Sequence, residues 1–480
     1  MSRKRTELKR WARESMKGVE NTLFPSFGVG LRDLDEEGIR HDVRQSIAHG
    51  FFSTMCATET GLTLDEAKRF LSIAADEARG KILVTTSLIL NSFEENMSLL
   101  EHAGRAGVDG ILLGYPATFH PKEKADIYRE TKRFCDATDL HVTLYPSPHF
   151  PFDHFHPSGF PIDVMSRLAD LDNVVAVKIG ELGLFADAQR VLGDRVLVGC
   201  PVERYVPLLV QGFGMQWMGA GCYEVLQTPE QPNLVEYFRL LREGEHDAGM
   251  ELYWKLAPMR NIFEQQFNQT VMSGTYNWHA QKYYQWCVGG NGGLTRQPAM
   301  KLHSWEINQI RMGFFAIGIE PRENEEEFWV GRACYERGRS DGAEESVASR
   351  DPAGPSLEEH SAGPLVRGVS DVLRDLATEM KKIPILIRPM VTAGFEKGTG
   401  RSVAAWQSSI DALMAATSQG GGGKQGGPLA EELERLAVYF DEAPSQSKRF
   451  ASSEQEIEEV AQRSAARATA VRALGASLRA

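Results

Sequence analysis

Lys178 ends the apolar run Val174-Val175-Ala176-Val177 in LDNVVAVKIGELG, residues 171–183. Such a run belongs in a sheet interior, where an ammonium is poorly placed. Burial removes the hydration of the charged form and lowers a lysine pKa. The neutral amine that results is a nucleophile for carbonyl carbon and can form a Schiff base. A structural reading stands beside this one: the lysine stem snorkels along apolar surface, or its charge pairs with Glu181. Tyr145 closes a second run, HVTLYPS at 141–147. Imine chemistry needs a group that expels water from the carbinolamine and moves protons afterwards, and a phenol one strand away can do both.

These side chains need elements that bring strand ends together. Eight short apolar runs read as strands: 24–31, 51–57, 81–87, 109–115, 141–147, 174–180, 195–200 and 215–221. Amphipathic stretches such as LTLDEAKRFLSIAADEA and NMSLLEHAGRAG lie between them. Strand–helix units repeating every ~20–30 residues predict an α/β fold, a (β/α)8 barrel. A doubly wound sheet would place a glycine-rich phosphate loop after its first strand, and none follows here. In a barrel, reactive groups sit at the C-terminal strand ends, which here carry Ala57-Thr58, Tyr115, Tyr145 and Lys178.

The expected organisation is an N-terminal helix over 1–23, the barrel over 24–245 and barrel-associated helices over 246–336. A small, polar, proline-bearing linker follows at 337–363, then a separate helical region over 364–480. In that last region Leu365, Val369, Leu373, Leu376 and Met380 recur at helical spacing, with no catalytic constellation. A net charge of −12 and no nucleic-acid motif argue against a nucleic-acid partner. Six scattered cysteines without a CxxC pair read as reduced, buried thiols of a cytoplasmic protein. No apolar run reaches the length of a membrane span.

Several of these segments, taken in order, resemble the dihydrodipicolinate synthase and N-acetylneuraminate lyase family of class I, lysine-dependent pyruvate aldolases. HVTLYPSP resembles the family's strand-five tyrosine before a proline turn, NVVAVKIGELG its Schiff-base strand, and CATETGLTLDEAKRF its carboxylate-binding loop. VGCPVERYVPLLVQGFGMQWMGAG is similar to its segment from strand seven to strand eight, and the resemblance spans about residues 24–320. It implies a barrel, an imine between Lys178 and pyruvate or a related 2-oxo acid, and Tyr145 as proton relay. It further implies an aldehyde-type partner, no cofactor, and a homo-oligomer, either dimer or tetramer. Ala57 and Thr58 fall on the two threonines of the carboxylate loop and Glu59 on its glycine, so Thr58 and backbone N–H groups would hold the carboxylate. Phe150 stands where dihydrodipicolinate synthases place an arginine, and LLGYPATFHP offers Tyr115 and Thr118 in place of paired tyrosines. Without that arginine the resemblance argues against lysine biosynthesis. The segments around strands four and five are closer to hydratase-aldolases that cleave arylidene-pyruvates.

Tyr115, Thr118, His149 and Phe150 are therefore candidates for the substrate pocket. The insertion SPHFPFDHFHPSGFP carries His149, Asp153, His154 and His156. It reads as an aromatic lid over the barrel mouth; a metal site is the alternative, although its spacing fits no named zinc motif and iminium chemistry needs no metal. NWHAQKYYQW at 277–286 reads as a core or interface stripe, with an aromatic pocket as the alternative. The departures at Ala57 and Glu59 leave a second functional reading: a barrel without turnover that serves as a binding or assembly module for the C-terminal helices.

Overall fold

A computed structural model describes residues 4–338, except 148, 149, 157, 158, 160, 274 and 298, and beyond these only isolated helical positions such as Trp406, Leu433 and Val471. Side chains of 268–273 are likewise outside the description. The chain divides into two compact units, Met1–Arg350 and Asp351–Ala480. The expected linker at 337–363 and the helical pattern around Leu365–Met380 lie almost wholly outside the described residues.

The first unit is an eight-stranded parallel α/β barrel, with β1 Gly18–Leu23, β2 Ser53–Cys56, β3 Leu83–Leu88 and β4 Gly110–Leu113. The ring continues with β5 His141–Leu144, β6 Val174–Lys178, β7 Leu197–Gly199 and β8 Trp217–Gly221. Each strand pairs in parallel with its sequence neighbour from β1 to β7, and β8 pairs with β1. The side-chain period of two sends alternate residues into the barrel. Small and large residues then interlock: a β carbon on Gly110 would collide with the His141 ring, and one on Gly199 with the Trp217 indole. The second contact brings β8 against β7 and completes the ring.

The first strand corrects the expected boundary. Residues 24–31 are not a strand; β1 lies at Gly18–Leu23, inside the segment expected to be helical. Its Glu20 and Asn21 broke the apolar signal, yet both are buried with hydrogen-bond partners of their own. Glu20 accepts from the Ser53 hydroxyl at 2.9 Å and the Thr85 hydroxyl at 2.8 Å inside the barrel. Asn21 donates to Ser46 at 2.9 Å and to Glu224 at 2.7 Å on the helix side. The N-terminal α-helix covers only Leu8–Ser15, where Leu8, Ala12 and Met16 pack on Val175, Leu197 and Trp217.

The barrel-associated helices begin with two, His246–Lys255 and Ala257–Ser273, separated because Pro258 has no N–H and suits only a first helical turn. Further helices run over Trp278–Cys287, Ser304–Ala316 and Glu325–Val330. All six cysteines are buried and free. Among the described residues, no helix is long and apolar enough to cross a membrane.

Candidate active site

The C-terminal ends of the strands surround a cavity of about 160 Å³, with Lys178 and Tyr145 both in its wall. Lys178 is only 6% exposed, and its ammonium Nζ donates to the Ala220 carbonyl at 2.8 Å. The same atom lies 4.9 Å from the centroid of the Tyr145 ring. Gly219 makes room for the lysine stem, since a β carbon there would stand 2.9 Å from Lys178 Cγ and Cδ. Glu181 does not serve as the lysine's partner. Its carboxylate caps the helix Leu182–Leu192, accepting from the Gly183 N–H at 2.7 Å and from the Leu184 N–H.

A second phenol reaches Tyr145. Tyr276 also lines the cavity and hydrogen-bonds the Tyr145 side chain. Burial raises the Tyr276 hydroxyl well above the ordinary tyrosine range, and the hydrogen bond to Tyr145 raises it further. Its ring stacks on Trp278 at 4.4 Å, and Trp278 packs on Phe24 at 5.5 Å. The helix that begins at Trp278 is tied to the end of β1. Lys282 donates to the Pro25 carbonyl at 3.0 Å, and Gln285 donates to the Thr22 carbonyl at 2.9 Å.

The carboxylate loop differs from expectation. Neither Ala57 nor Thr58 belongs to the cavity wall. Ala57 is fully buried among Phe24, Met55 and Trp278. The Thr58 hydroxyl donates to the Ser87 carbonyl at 2.9 Å, and its N–H donates to Ser87 Oγ at 3.1 Å. Glu59 is the loop residue that faces the cavity, with the Ser87 hydroxyl donating to its Oε2 at 2.5 Å. Burial pushes the Glu59 carboxyl up from the usual range, opposed by the Ser87 hydrogen bond and by the charge of Lys178.

The other pocket candidates lie elsewhere. Tyr115 is buried with its hydroxyl 2.7 Å from Thr131 Oγ1, and its ring meets Phe150 and Phe152 edge-on. Thr118 is exposed. Phe150 packs between Tyr115 and Tyr145, which makes it a support behind the cavity wall. These aromatic side chains prefer their own cluster to the void, where each buries more apolar surface. His149 lies outside the described residues. Among the described residues, no three His, Cys, Asp or Glu side chains are grouped to hold a metal.

Arg260, from helix Ala257–Ser273, also reaches the cavity wall. Its guanidinium is committed to Glu203 through both Nε and Nη2, and the Tyr237 hydroxyl donates to the same carboxylate. Sequence reasoning missed Glu59, Tyr276 and Arg260 as cavity residues. Glu59 had a signal, a charged residue where the resemblance expects glycine. The stripe at 277–286 is divided: Trp278 and Gln281 face the cavity, while Tyr283, Tyr284 and Trp286 are core.

Comparison with known proteins matches residues 30–204 to the dihydrodipicolinate synthetase family. The 4-hydroxy-tetrahydrodipicolinate synthase of Syntrophobacter fumaroxidans is 28% identical over 249 residues, which cover 50% of this chain and 81% of that one. Over roughly these residues the barrel matches the dihydrodipicolinate synthase and N-acetylneuraminate lyase family. The family's enzymes are class I aldolases and lyases, which work through a lysine Schiff base. Two solved structures share the barrel fold. Dihydrodipicolinate synthase from Aquifex aeolicus superposes with a TM-score of 0.54 at 20% identity, covering 64% of this chain and all 100% of that one. N-acetylneuraminate lyase from Fusobacterium nucleatum gives 0.51 at 16%, covering 63% and 99%. The region after the family barrel is unmatched.

Proposed function

We propose that this enzyme forms an imine between Lys178 and pyruvate or a related 2-oxo acid, and uses it to cleave or form a carbon–carbon bond or to add or remove water. The observation that carries the reading is the placement of Lys178 Nζ in the cavity, 4.9 Å from the Tyr145 ring centroid. The neutral amine attacks the ketone carbon and gives a carbinolamine. Tyr145 protonates the departing hydroxyl, water leaves, and the iminium becomes the electron sink for the bond that breaks or forms next. No cofactor is needed for that step, because the iminium itself withdraws the electrons.

The partner substrate is an aldehyde-type carbonyl compound with an apolar body. Met55, Leu112, Val202, Phe263 and Trp278 supply matching walls. Arg260, the one arginine of the cavity wall among the described residues, is neutralised by Glu203, which supports a partner other than the carboxylated substrate of lysine biosynthesis. For the 2-oxo acid, the carboxylate meets the Glu59 side of the loop, and two acids share such a site with a proton between them. The same reading takes the protein as a cytoplasmic homo-oligomer.

Incubation with pyruvate and borohydride tests the proposal. A reduced adduct should appear on Lys178 and vanish in Lys178→Ala. Lys178→Arg should be equally inert, because a guanidinium stays protonated. Labelling that survives the alanine substitution defeats the assignment. A wild-type chain that takes no label favours instead the barrel without turnover, a reading that the Glu59 and Ala57 departures support.

A further inference from the structure

We propose that the proton relay of this site is assembled within a single chain as Tyr145, Tyr276 and Glu59, with Glu59 as the terminal acid and base. The inference rests on the imine reading of Lys178 and goes beyond it by naming where the proton is stored. Three observations on the structure carry it. Tyr145, Tyr276, Glu59 and Lys178 share one cavity wall. Tyr276 hydrogen-bonds Tyr145, and the carboxyl of Glu59 acts electrostatically on both Tyr276 and Lys178. The residue expected to work from this loop, Thr58, is turned onto Ser87, while Glu59 faces inward with Ser87 fixing one of its oxygens at 2.5 Å.

The hydrogen bond between Tyr276 and Tyr145 suits a relay. Tyr276 and Tyr145 share a hydrogen bond, so a proton lost from Tyr145 is replaced from Tyr276 without either ring moving. Burial favours the neutral form of both ends: it holds the Tyr276 proton on and raises the Glu59 carboxyl. A protonated Glu59 also removes the repulsion that two anions would suffer in a cavity of about 160 Å³.

The proton count closes. In carbinolamine collapse, Tyr145 gives its proton to the leaving hydroxyl and water departs. Tyr145 recovers a proton from Tyr276, and Tyr276 recovers one from the Glu59 carboxyl. The nitrogen lone pair forms the C=N bond, which leaves an iminium cation opposite a Glu59 carboxylate. When the neighbouring C3–H bond breaks, its electrons enter the enamine. The proton returns through Tyr145 and Tyr276 to Glu59, which is protonated again as it was before the collapse. No outside acid or base is consumed.

The test uses the full chain with pyruvate in deuterated water. The exchange of pyruvate C3 protons is followed by NMR, and borohydride trapping on Lys178 is measured in parallel. Tyr276→Phe keeps the ring and its stacking on Trp278 and removes only the hydroxyl. At saturating pyruvate it should slow C3 exchange by about 10²-fold, the ordinary scale of a positioned acid–base group. Glu59→Gln, which keeps the shape but carries no mobile proton, should give a similar loss, with Glu59→Asp restoring part of it. Trapped adduct on Lys178 at long incubation should persist in all three variants. Exchange at the wild-type rate in either Tyr276→Phe or Glu59→Gln overturns the relay. A merely structural role would raise the pyruvate KM or lower the melting temperature and leave saturated exchange unchanged, which overturns it too. Absence of any adduct in the wild-type chain would instead remove the imine reading on which the relay rests.

Discussion

Replacing Gly219 by alanine should silence Lys178 while leaving the barrel standing. The added β carbon would lie 2.9 Å from both Cγ and Cδ of Lys178, against ordinary contacts of 3.4–4 Å. The stem must therefore withdraw by at least the difference, about 0.5 Å, in a site where about 1 Å of misplacement can cost about 10²-fold. It has little room to do so, because Nζ is tethered at 2.8 Å to the carbonyl of the adjacent Ala220. Overpacking costs about 1–3 kcal/mol, and about 0.5–1 kcal/mol of that is offset because a strand glycine gives up backbone freedom. The net loss of stability is small beside the loss of geometry. Borohydride trapping with pyruvate should slow by about tenfold or more, while the melting temperature falls by only a few degrees. Gly199→Ala is the comparison, because its β carbon would come within 2.4 Å of the rigid Trp217 ring, with no Lys178 atom among its three nearest neighbours. That variant should lose stability first. An unchanged trapping rate in Gly219→Ala would refute the claim that this contact sets the position of the amine.

Three other perturbations follow from buried charge and from the division of the chain. Arg260→Leu leaves the Glu203 carboxylate buried without its cation and should cost about 3–5 kcal/mol in chemical denaturation; adding Glu203→Gln should recover part of it, and a neutral single variant would show that the pair is not structural. Burial raises the Glu224 carboxyl from 4.5 to about 7, so the folded state binds this proton more tightly than the unfolded chain. Its contribution is fully present below pH 4.5, fades as pH rises to about 7 and is then constant, and Glu224→Gln should flatten that interval in a melting-temperature series. A chain ending at Arg350, the edge of the first compact unit, should still form the Lys178 adduct and should differ from the full chain mainly in the mass measured by light scattering. Loss of the adduct with an unchanged oligomeric state would place residues 351–480 in the chemistry.

Seven of the eight strands were legible because their apolar runs survive burial on both faces, as VVAVK does in β6. The first was not, because GVENTL puts Glu20 and Asn21 into partners supplied by β2, β3 and distant helices. Local sequence carries no record of a partner more than 200 residues away, such as Glu224 for Asn21. The candidate site divides along the same line. Lys178 and Tyr145 were legible from strand ends, since the period of two and the barrel ends place them together. Thr58 and Ala57 were placed by alignment with a loop, and one residue of register decides which side chain of a turn faces inward. Tyr276 gave no sequence signal at all. Its place depends on tertiary contacts of the helix that follows it.

Those contacts explain why a polar network is buried beneath a helix that could have packed on oil alone. Apolar surfaces attract without direction and tolerate sliding, whereas hydrogen bonds between buried groups hold only over a few tenths of an ångström. Lys282 is fully buried beside Asp42, and it donates to the Pro25 carbonyl at 3.0 Å and to Ser26 at 3.2 Å. Asn291 donates its N–H to Asp42 at 2.6 Å and its side-chain amide to Ser26 at 3.1 Å. Gln285 binds the Thr22 carbonyl and Glu224 at 2.9 Å each. Shifting the helix Trp278–Cys287 by one residue would strand several of these groups without partners, each at about 1–3 kcal/mol. The network therefore fixes the helix's register against the end of β1, two turns from where Tyr276 must meet Tyr145. Barrel strands set the amine and the first phenol to a common depth. The second phenol reaches the same cavity only because the register of a helix outside the barrel is pinned by buried hydrogen bonds.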